Sequence, residues 1–545
     1  MTRTAPAVLA LALVASVVAR ADEPGAGAAG GAAPSAVAPT VIRLSLSDVA
    51  RLALRNNPEI RRLALEPDVA SGELRKALAE FDPALFGEAR YTRQKPSPGP
   101  DTDAEPDGAA SFLSLFSGGS GPSETETSVF AIGVRTKLRT GTKLELEYRA
   151  ERQRDLSDPE EAGVGLASLF GTGGEKEPSW TNRVELRITQ PLLQGAGTEF
   201  NTANIRLAEI AKEIAYYDAA DSVRRSVSEA LLAYWDLVRA DGDVKINQAS
   251  LERAKLNLAD VIENVKAGLR GRRQQLNAET GVAQRREPLA VSELRRREVQ
   301  RRLFKLIMPQ DRALPTAANG IVLTPTDSVE RAAGIPDASV DAAMLVALLH
   351  RPDYLRARKT SDSRHVAYRR ARHLLLPKLD LTGRAGYEGK GTTHGDADDQ
   401  LGGLEFWTWE LGLALEVPLG NRAAKGELQR ALAQLEQAQI ALDDVEQQVR
   451  VDVLQALDEI ETARERTDLV RASVDASQRQ YDEELDRFKK LQDLELKTVL
   501  DYEEDLSQQR SRLLQAQTDL QRARIALARA QGRIIEDVIG APPAR

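Results

Sequence analysis

The chain has 545 residues, 29% of them charged and 4% aromatic, with a formal net charge of −8. So small an aromatic share argues against a large globular core, and the acidic balance offers no basic patch for nucleic acid. Cysteine is absent, which excludes disulfides, thiolate metal sites and a cysteine-linked lipid anchor.

Residues 1–21 carry Arg3 near the start, an apolar stretch over 5–18 and an Ala19-Arg20-Ala21 cleavage pattern. They read as a secretory signal peptide cut before Asp22, because the apolar stretch is shorter than the roughly 20 residues a spanning helix needs. Its removal takes away Arg3 and Arg20 and no acid, so the net charge becomes −10. Residues 22–40, rich in Ala, Gly and Pro, are expected to form a disordered lead-in. No later stretch holds 18 consecutive apolar residues. A mature chain that spans a membrane must then do so as a β-barrel.

The remaining landmarks come in one order twice. "LSLSDVARLALRNNPEIRR" (44–62) resembles "DASVDAAMLVALLHRPDYLRAR" (337–358), with Pro58 aligned on Pro352. A second proline follows 25 residues later in each copy, at Pro83 and Pro377, and an alternating strand comes after it. Each copy then reaches a strand ending in proline, "RITQPLLQGAG" or "LALEVPLGNRAAKG", and enters a proline-free segment, 192–287 or 419–541. This predicts a first repeat over 41–307, with short helices in 44–82, strands in 84–190 and a long and a returning helix in 198–307. A linker, 308–338, leads to a second repeat over 339–540, with short helices in 339–376, strands in 378–418 and a long and a returning helix in 421–538.

Six strands share one alternation. In "FWTWELGLALEVP" the residues Trp407, Trp409, Leu411, Leu413, Leu415 and Val417 alternate with Thr408, Glu410, Gly412, Ala414 and Glu416. One face suits lipid and the other water. The same period marks 84–93, 129–138, 142–152, 180–190 and 378–387, each near the 9–11 residues that a tilted membrane strand needs. Polar residues such as Arg183, Arg187, Glu410 and Glu416 would face a water-filled lumen. Trp180, Trp407, Trp409, Tyr91 and Tyr387 sit toward strand ends, where membrane-interface aromatics belong. A soluble sandwich with one wet face is the other reading, but the flanks offer no second sheet to cover the apolar side. "RTGT" (139–142) is a tight turn, whereas 94–127 and 155–179 are long loops, so the short turns are expected to face the periplasm. Six strands cannot close around a useful channel, and the barrel is expected to be shared between chains.

The prolines at the ends of these strands mark junctions. Pro191 and Pro418 lack an N–H and are expected to end ladder pairing, while Gly195, Gly197 and Gly420 allow the bend into a helix. From 204 to 267 apolar residues recur at helical spacing, and some 64 residues reach roughly 95 Å. The second copy runs similarly over 423–489. Charged faces with Arg224, Arg225, Asp443, Asp444, Glu446 and Arg450 need water, so these antiparallel coiled coils are placed in the periplasm. Their far tips fall in 265–279, where Gly268 and Gly271 weaken the helix, and in 488–505.

Sites for chemistry are absent from the pattern. His350, His365, His373 and His394 are the four histidines, and none stands at metal-ligand spacing. "GTGGEK" (171–176) fails the phosphate-loop spacing. No enzyme activity, cofactor or metal is expected. A non-conducting scaffold spanning the envelope remains the rival to a channel.

The duplicated order, the strand-ending "QPLLQG", and "AGLRGRRQQLNAET" opening a returning helix together resemble the TolC-like outer membrane efflux protein family, from "LSLSDVARLALRNNPEI" to "RARIALARAQGRIIEDVIG". The resemblance implies an internally duplicated α+β membrane protein of the outer membrane. Its long antiparallel helices would form a trimeric periplasmic α-barrel, and its strands would enter a shared outer-membrane β-barrel set in lipid. It implies a homotrimer that accepts substrate from an inner-membrane transporter through a periplasmic adaptor (membrane fusion) protein, as the duct of a tripartite efflux or type I secretion system, without cofactor. Family members usually contribute four strands per chain, so the hairpin in 129–152 either enters the barrel or extends outside the membrane. By position, Gly268 and Leu269 match the family's adaptor-binding tip, with Ala267 beside them, and Gln492 stands where a second tip glycine is expected. Asp501 matches an acidic position lining the closed periplasmic entrance, and Thr498 occupies the place of a second acid. By charge alone, Arg270, Arg272 and Arg273 at one tip could pair with Asp493, Glu495 and Asp501 at the other to hold the entrance shut; each such pair is worth about 0–1 kcal/mol. The alternative is solvated tip charge.

Overall fold

The computed structural model describes residues 41–95, 124–156, 177–308, 322–329, 339–490 and 496–539. The expected leader, the lead-in, and Gln492, Asp493 and Glu495 lie outside them. By its internal contacts the chain divides into two units, one of Met1–Ser71, Ile210–Asp362 and Glu436–Arg545, the other of Gly72–Glu209 and Ser363–Leu435. The spatial division therefore does not follow the two repeats, since each unit takes segments from both.

The second unit is built on one antiparallel sheet. Its strands are β2 (Ala84–Gln94), β3 (Thr125–Lys137), β4 (Lys143–Asp155), β5 (Ser179–Pro191), β7 (Lys378–Gly391) and β8 (Trp407–Glu416), in the order β2-β3-β4-β5-β7-β8. The sheet is open, with β2 and β8 at its edges. Alternation in sequence becomes rows in space: Leu85, Val134, Leu146, Leu186, Ala385 and Trp409 stand opposite one another across all six strands. One residue along, Arg135, Glu145, Arg187, Arg384 and Glu410 form the next row on the other face. A short helix, α9 (His394–Gly402), lies in the stretch expected to hold only strands and packs on β7 and β5. Thr393 caps it, and a Cβ on Gly389 would come within 2.1 Å of the Ala397 carbonyl oxygen, so glycine permits the close approach.

Among the described residues the first unit has helices and two short strands. Helix α1 (Leu46–Asn56) starts at a capping box of Ser45 and Asp48. It stops at Asn57, and helix α7 (Val340–His350) stops at Arg351, because the following Pro58 and Pro352 push the preceding residue out of the helical region, to ψ values of 119° and 121°. The aligned prolines then open α2 (Pro58–Leu63) and α8 (Pro352–His373). Helix α3 (Glu66–Leu78) and, in the second unit, the four-residue α4 (Thr198–Asn201) precede the first long pair, α5 (Ala203–Lys266) and α6 (Arg272–Ile307). The second pair is α10 (Arg422–Lys490) and α11 (Leu496–Ala530), followed by α12 (Ile534–Ile539). Helices α3, α5, α8 and α10 contribute to both units. Helix α6 passes through Pro288, an exposed position, at the cost of one backbone donor.

Inside the stretch expected as a linker, Val322–Pro325 forms β6, which pairs in parallel with β1 (Val41–Leu44). The pattern of a four-residue strand is too short to show itself before its partner is known. The pair roofs the largest apolar cluster, which joins Val49, Ala50 and Ile60 to Leu231, Tyr234 and Trp235 of α5 and to Leu303 and Ile307 of α6. The one proton of the Tyr234 hydroxyl is shared between the Asp327 carboxylate at 2.8 Å and the Leu44 carbonyl at 3.1 Å, and its oxygen accepts from the Asp327 N–H at 3.3 Å, so a buried hydroxyl is satisfied while tying β1 to the segment after β6. A second cluster packs Val449, Val453 and Ile460 of α10 on Ala343 and Ala347 of α7 and on Ala523 and Leu527 of α11.

Candidate functional site

The sheet is the first functional surface, and its two faces differ in chemistry. On the polar face Arg149 meets Glu147 at 2.8 Å, Arg187 meets Glu185 at 2.8 Å, and Arg183 donates to Glu388 at 3.0 Å. Arg384 joins Glu185 at 3.8 Å and also pairs with Glu410, while Lys378 reaches Glu416 at 3.8 Å. The four polar residues singled out in sequence, Arg183, Arg187, Glu410 and Glu416, are thus brought to one face as members of a ladder of opposite charges. On the other face Trp407, Trp409 and Leu411 are 63%, 66% and 68% exposed, and Phe130, Ile132, Val134 and Leu146 are exposed as well. A continuous apolar face of this size calls for a covering phase.

The five aromatics fall at one end of this sheet, the end from which the long loops leave. Tyr91 and Trp180 share a row, and Tyr387 stands opposite Trp407, with Trp409 one step inward on the same face. They do not mark both ends of the strands. Trp180 is partly covered by the His394 ring at 5.1 Å and by the Arg152 guanidinium at 5.9 Å.

At the opposite end lie the junctions. The β5–β7 register ends at Pro191, paired with Asp380, and two backbone bonds beyond it tie down the exit: the Leu192 N–H donates to the Leu379 carbonyl at 2.7 Å and the Gln194 N–H to the Pro377 carbonyl at 3.1 Å. Proline removes only its own donor, and its neighbours in the chain keep theirs. The bend comes at Gly195 and Gly197, with φ of 86° and 89°, and in the second copy at Gly420 and Asn421, with φ of 85° and 42° after Pro418. Asn201, buried, donates to the Gly195 and Gly197 carbonyls at 2.7 and 2.9 Å, a clasp the sequence reading missed. The β3–β4 turn docks there too: the Gly197 N–H donates to the Thr140 carbonyl at 3.1 Å.

The helical tips are the second surface. Gly268 takes φ of 73° just after α5, and Leu269 beside it is 56% exposed. Arg270 packs against Phe488 near the other tip. Its guanidinium lies 3.6 Å from the centre of the Phe488 ring and donates to the Phe488 carbonyl at 3.0 Å, and burial lowers its pKa. Arg272 and Arg273 open α6, Thr498 is half-buried and Asp501 exposed on the first turns of α11.

Two residues beyond Asp501, Glu503 is fully buried. It accepts hydrogen bonds from Ser250 at 2.9 Å and Arg253 at 3.0 Å, and forms an ion pair with Arg285 at 2.8 Å. Arg285 also donates to the carbonyls of Gly281 and Leu500. Three helices, α5, α6 and α11, are pinned through one carboxylate. No spacing in the sequence announces the cluster, because its members come from segments some 250 residues apart in the chain and Glu503 reads as one acid of a solvated run.

A helix-rich α+β chain with paired long helices and an antiparallel sheet is the fold this protein shares with outer membrane channels of known structure. Residues 345–533 match the family Outer membrane efflux protein. No curated protein sequence matches the chain significantly. In fold it is similar to the outer membrane channel CmeC of Campylobacter jejuni, with TM-score 0.56 and 16% identity over 90% of this chain and 86% of that one. It is similar to the outer membrane protein VceC of Vibrio cholerae, with TM-score 0.58 and 16% identity over 89% and 96%. The open state of the MtrE outer membrane channel of Neisseria gonorrhoeae gives 0.56 and 16% over 90% and 89%. The protein resembles the TolC-like outer membrane efflux proteins.

Proposed function

We propose that three copies of this chain form an outer-membrane channel that passes substrates from an inner-membrane pump and a periplasmic adaptor to the exterior. The observation that carries this reading is the two-faced sheet, with charge along one side and uncovered apolar side chains along the other, on a chain with the fold of outer membrane channels. The charged face lines water, the apolar face meets lipid, and the long helices stand in the periplasm. Gly268, Leu269 and Gln492 are the adaptor contacts, with Asp501 and Thr498 near the entrance. Pro191, Gly195, Gly197, Pro418 and Gly420 make the passage from strand to helix.

Purified protein added to a planar lipid bilayer is expected to give discrete conductance steps. A trimer that inserts and never conducts would overturn the channel in favour of a structural scaffold of the same fold.

A further inference from the structure

Resting on the channel reading above, we propose that all six strands of each chain cross the outer membrane, so that the barrel shared by three copies has eighteen strands and β3 and β4 carry lipid on their apolar face. The resemblance by itself implies four strands per chain, with the β3–β4 hairpin free to stand outside the membrane.

Three observations place the hairpin inside the wall. The first is pairing. β3 is matched to β2 from Ala84–Arg135 to Gln94–Thr125, and β4 to β5 from Lys143–Thr189 to Gln153–Ser179. β2 reaches β5 only through β3 and β4, so a wall from which the hairpin was withdrawn would strip β2 of its one ladder partner.

The second is height. The hairpin turn does not project beyond the sheet but is clamped at the junction end. Gly197 donates to Thr140, Lys137 meets Glu80 at 2.6 Å, and a Cβ on Gly141 would stand 2.4 Å from the Gly195 carbonyl oxygen. The turn therefore lies level with the point where β5 leaves the sheet.

The third is the apolar face. Phe130, Ile132, Val134 and Leu146 are exposed on the face that holds Leu186 and Trp409, and Val134 and Leu146 stand in the same row as those two. On a hairpin in water they would be an uncovered patch; in the wall, acyl chains cover them as they cover β8. Six antiparallel strands also leave β2 and β8 running in opposite directions. A three-fold arrangement then sets β8 of one protomer beside β2 of its partner with the alternation unbroken. Eighteen strands suffice for a wide aqueous lumen, to which β4 adds Glu145, Glu147 and Arg149.

The absence of cysteine allows a direct test. Single variants Ile132→Cys, Leu146→Cys and, on β8, Leu413→Cys are labelled with a bimane thiol reagent in the assembled trimer and placed in vesicles of brominated phospholipid. The expected result is loss of emission at 132 and 146 equal to that at 413. Loss at 413 alone would overturn the six-strand barrel and leave the channel standing. No loss at any of the three would overturn both. Should either hairpin variant fail to assemble, Phe130→Cys and Val134→Cys read the same face.

Discussion

Arg285 approaches the fully buried Glu503 to 2.8 Å, although the angle is too poor for that contact to be a hydrogen bond. Charge attraction in a dry place is what holds it. Replacing Glu503 by Gln leaves Arg285 and Arg253 facing an uncharged amide, and breaking such a buried pair costs about 3–5 kcal/mol. Amide hydrogen exchange over the first turns of α11 is expected to speed up accordingly. Unchanged exchange in that segment would mean that the pair contributes nothing to holding the three helices.

Gly141 combines φ of 95° with a backbone oxygen where a Cβ would go. Gly141→Ala is expected to destabilise the junction by about 1–3 kcal/mol, the range for a residue forced into that region. Gly195, with φ of 86° but no atom nearer than 3.7 Å to a new Cβ, is the milder site. The folded fraction surviving a heating series should rank wild type above Gly195→Ala and that above Gly141→Ala. The reverse ranking would refute the clamp.

Asp353 is tied to Arg351, which also meets Asp452 at 2.7 Å. Burial works to raise the Asp353 pKa, but the Arg351 hydrogen bonds outweigh it and hold the carboxyl below its ordinary 3.8. A depressed pKa contributes stability that is present above 3.8 and lost as pH falls through the lower folded value. Protease sensitivity of the α7–α8 segment should rise only in that acid window. Asp353→Asn is expected to lose about 1.5–3 kcal/mol at neutral pH and to flatten the profile; an unchanged profile would show that Asp353 is not the titrating group.

Arg270 stacks on Phe488, so Arg270→Ala should cost about 0.5–2 kcal/mol of local stability through the lost ring contact. A gate built of tip charges is read separately, with Arg272 and Arg273 both changed to Glu. Higher single-channel conductance is the expected outcome, and conductance equal to wild type ends the idea.

The outline of this protein was legible wherever a local period carried it. Alternation in 407–417 marked a strand with two chemistries, and the apolar spacing of α5 and α10 marked helices whose ends fall within a residue or two of those expected. Prolines 58 and 352 marked the same break twice, because the steric effect of a proline acts on the residue before it. The strands, the long helices and the glycine bends at 195, 197, 268 and 420 are of this kind.

What had no local period had to wait for the tertiary structure. β6 is a strand only because β1 lies beside it, and α9 packs closely only because Gly389 lacks a side chain. Pro191 announced the end of a ladder and the register stops there, but the carbonyls that the Leu192 and Gln194 donors find beyond it are placed by no sequence pattern. Arg270 looked like a free charge until Phe488 came under it, and Glu503 looked solvated until Arg253 and Arg285 closed around it. Backbone preference and amphipathic spacing act over a few residues and are written in the chain. Which charges meet, which strand stands next to which, and where a hairpin pairs into the sheet depend on partners far away in sequence, and only the folded structure decides them.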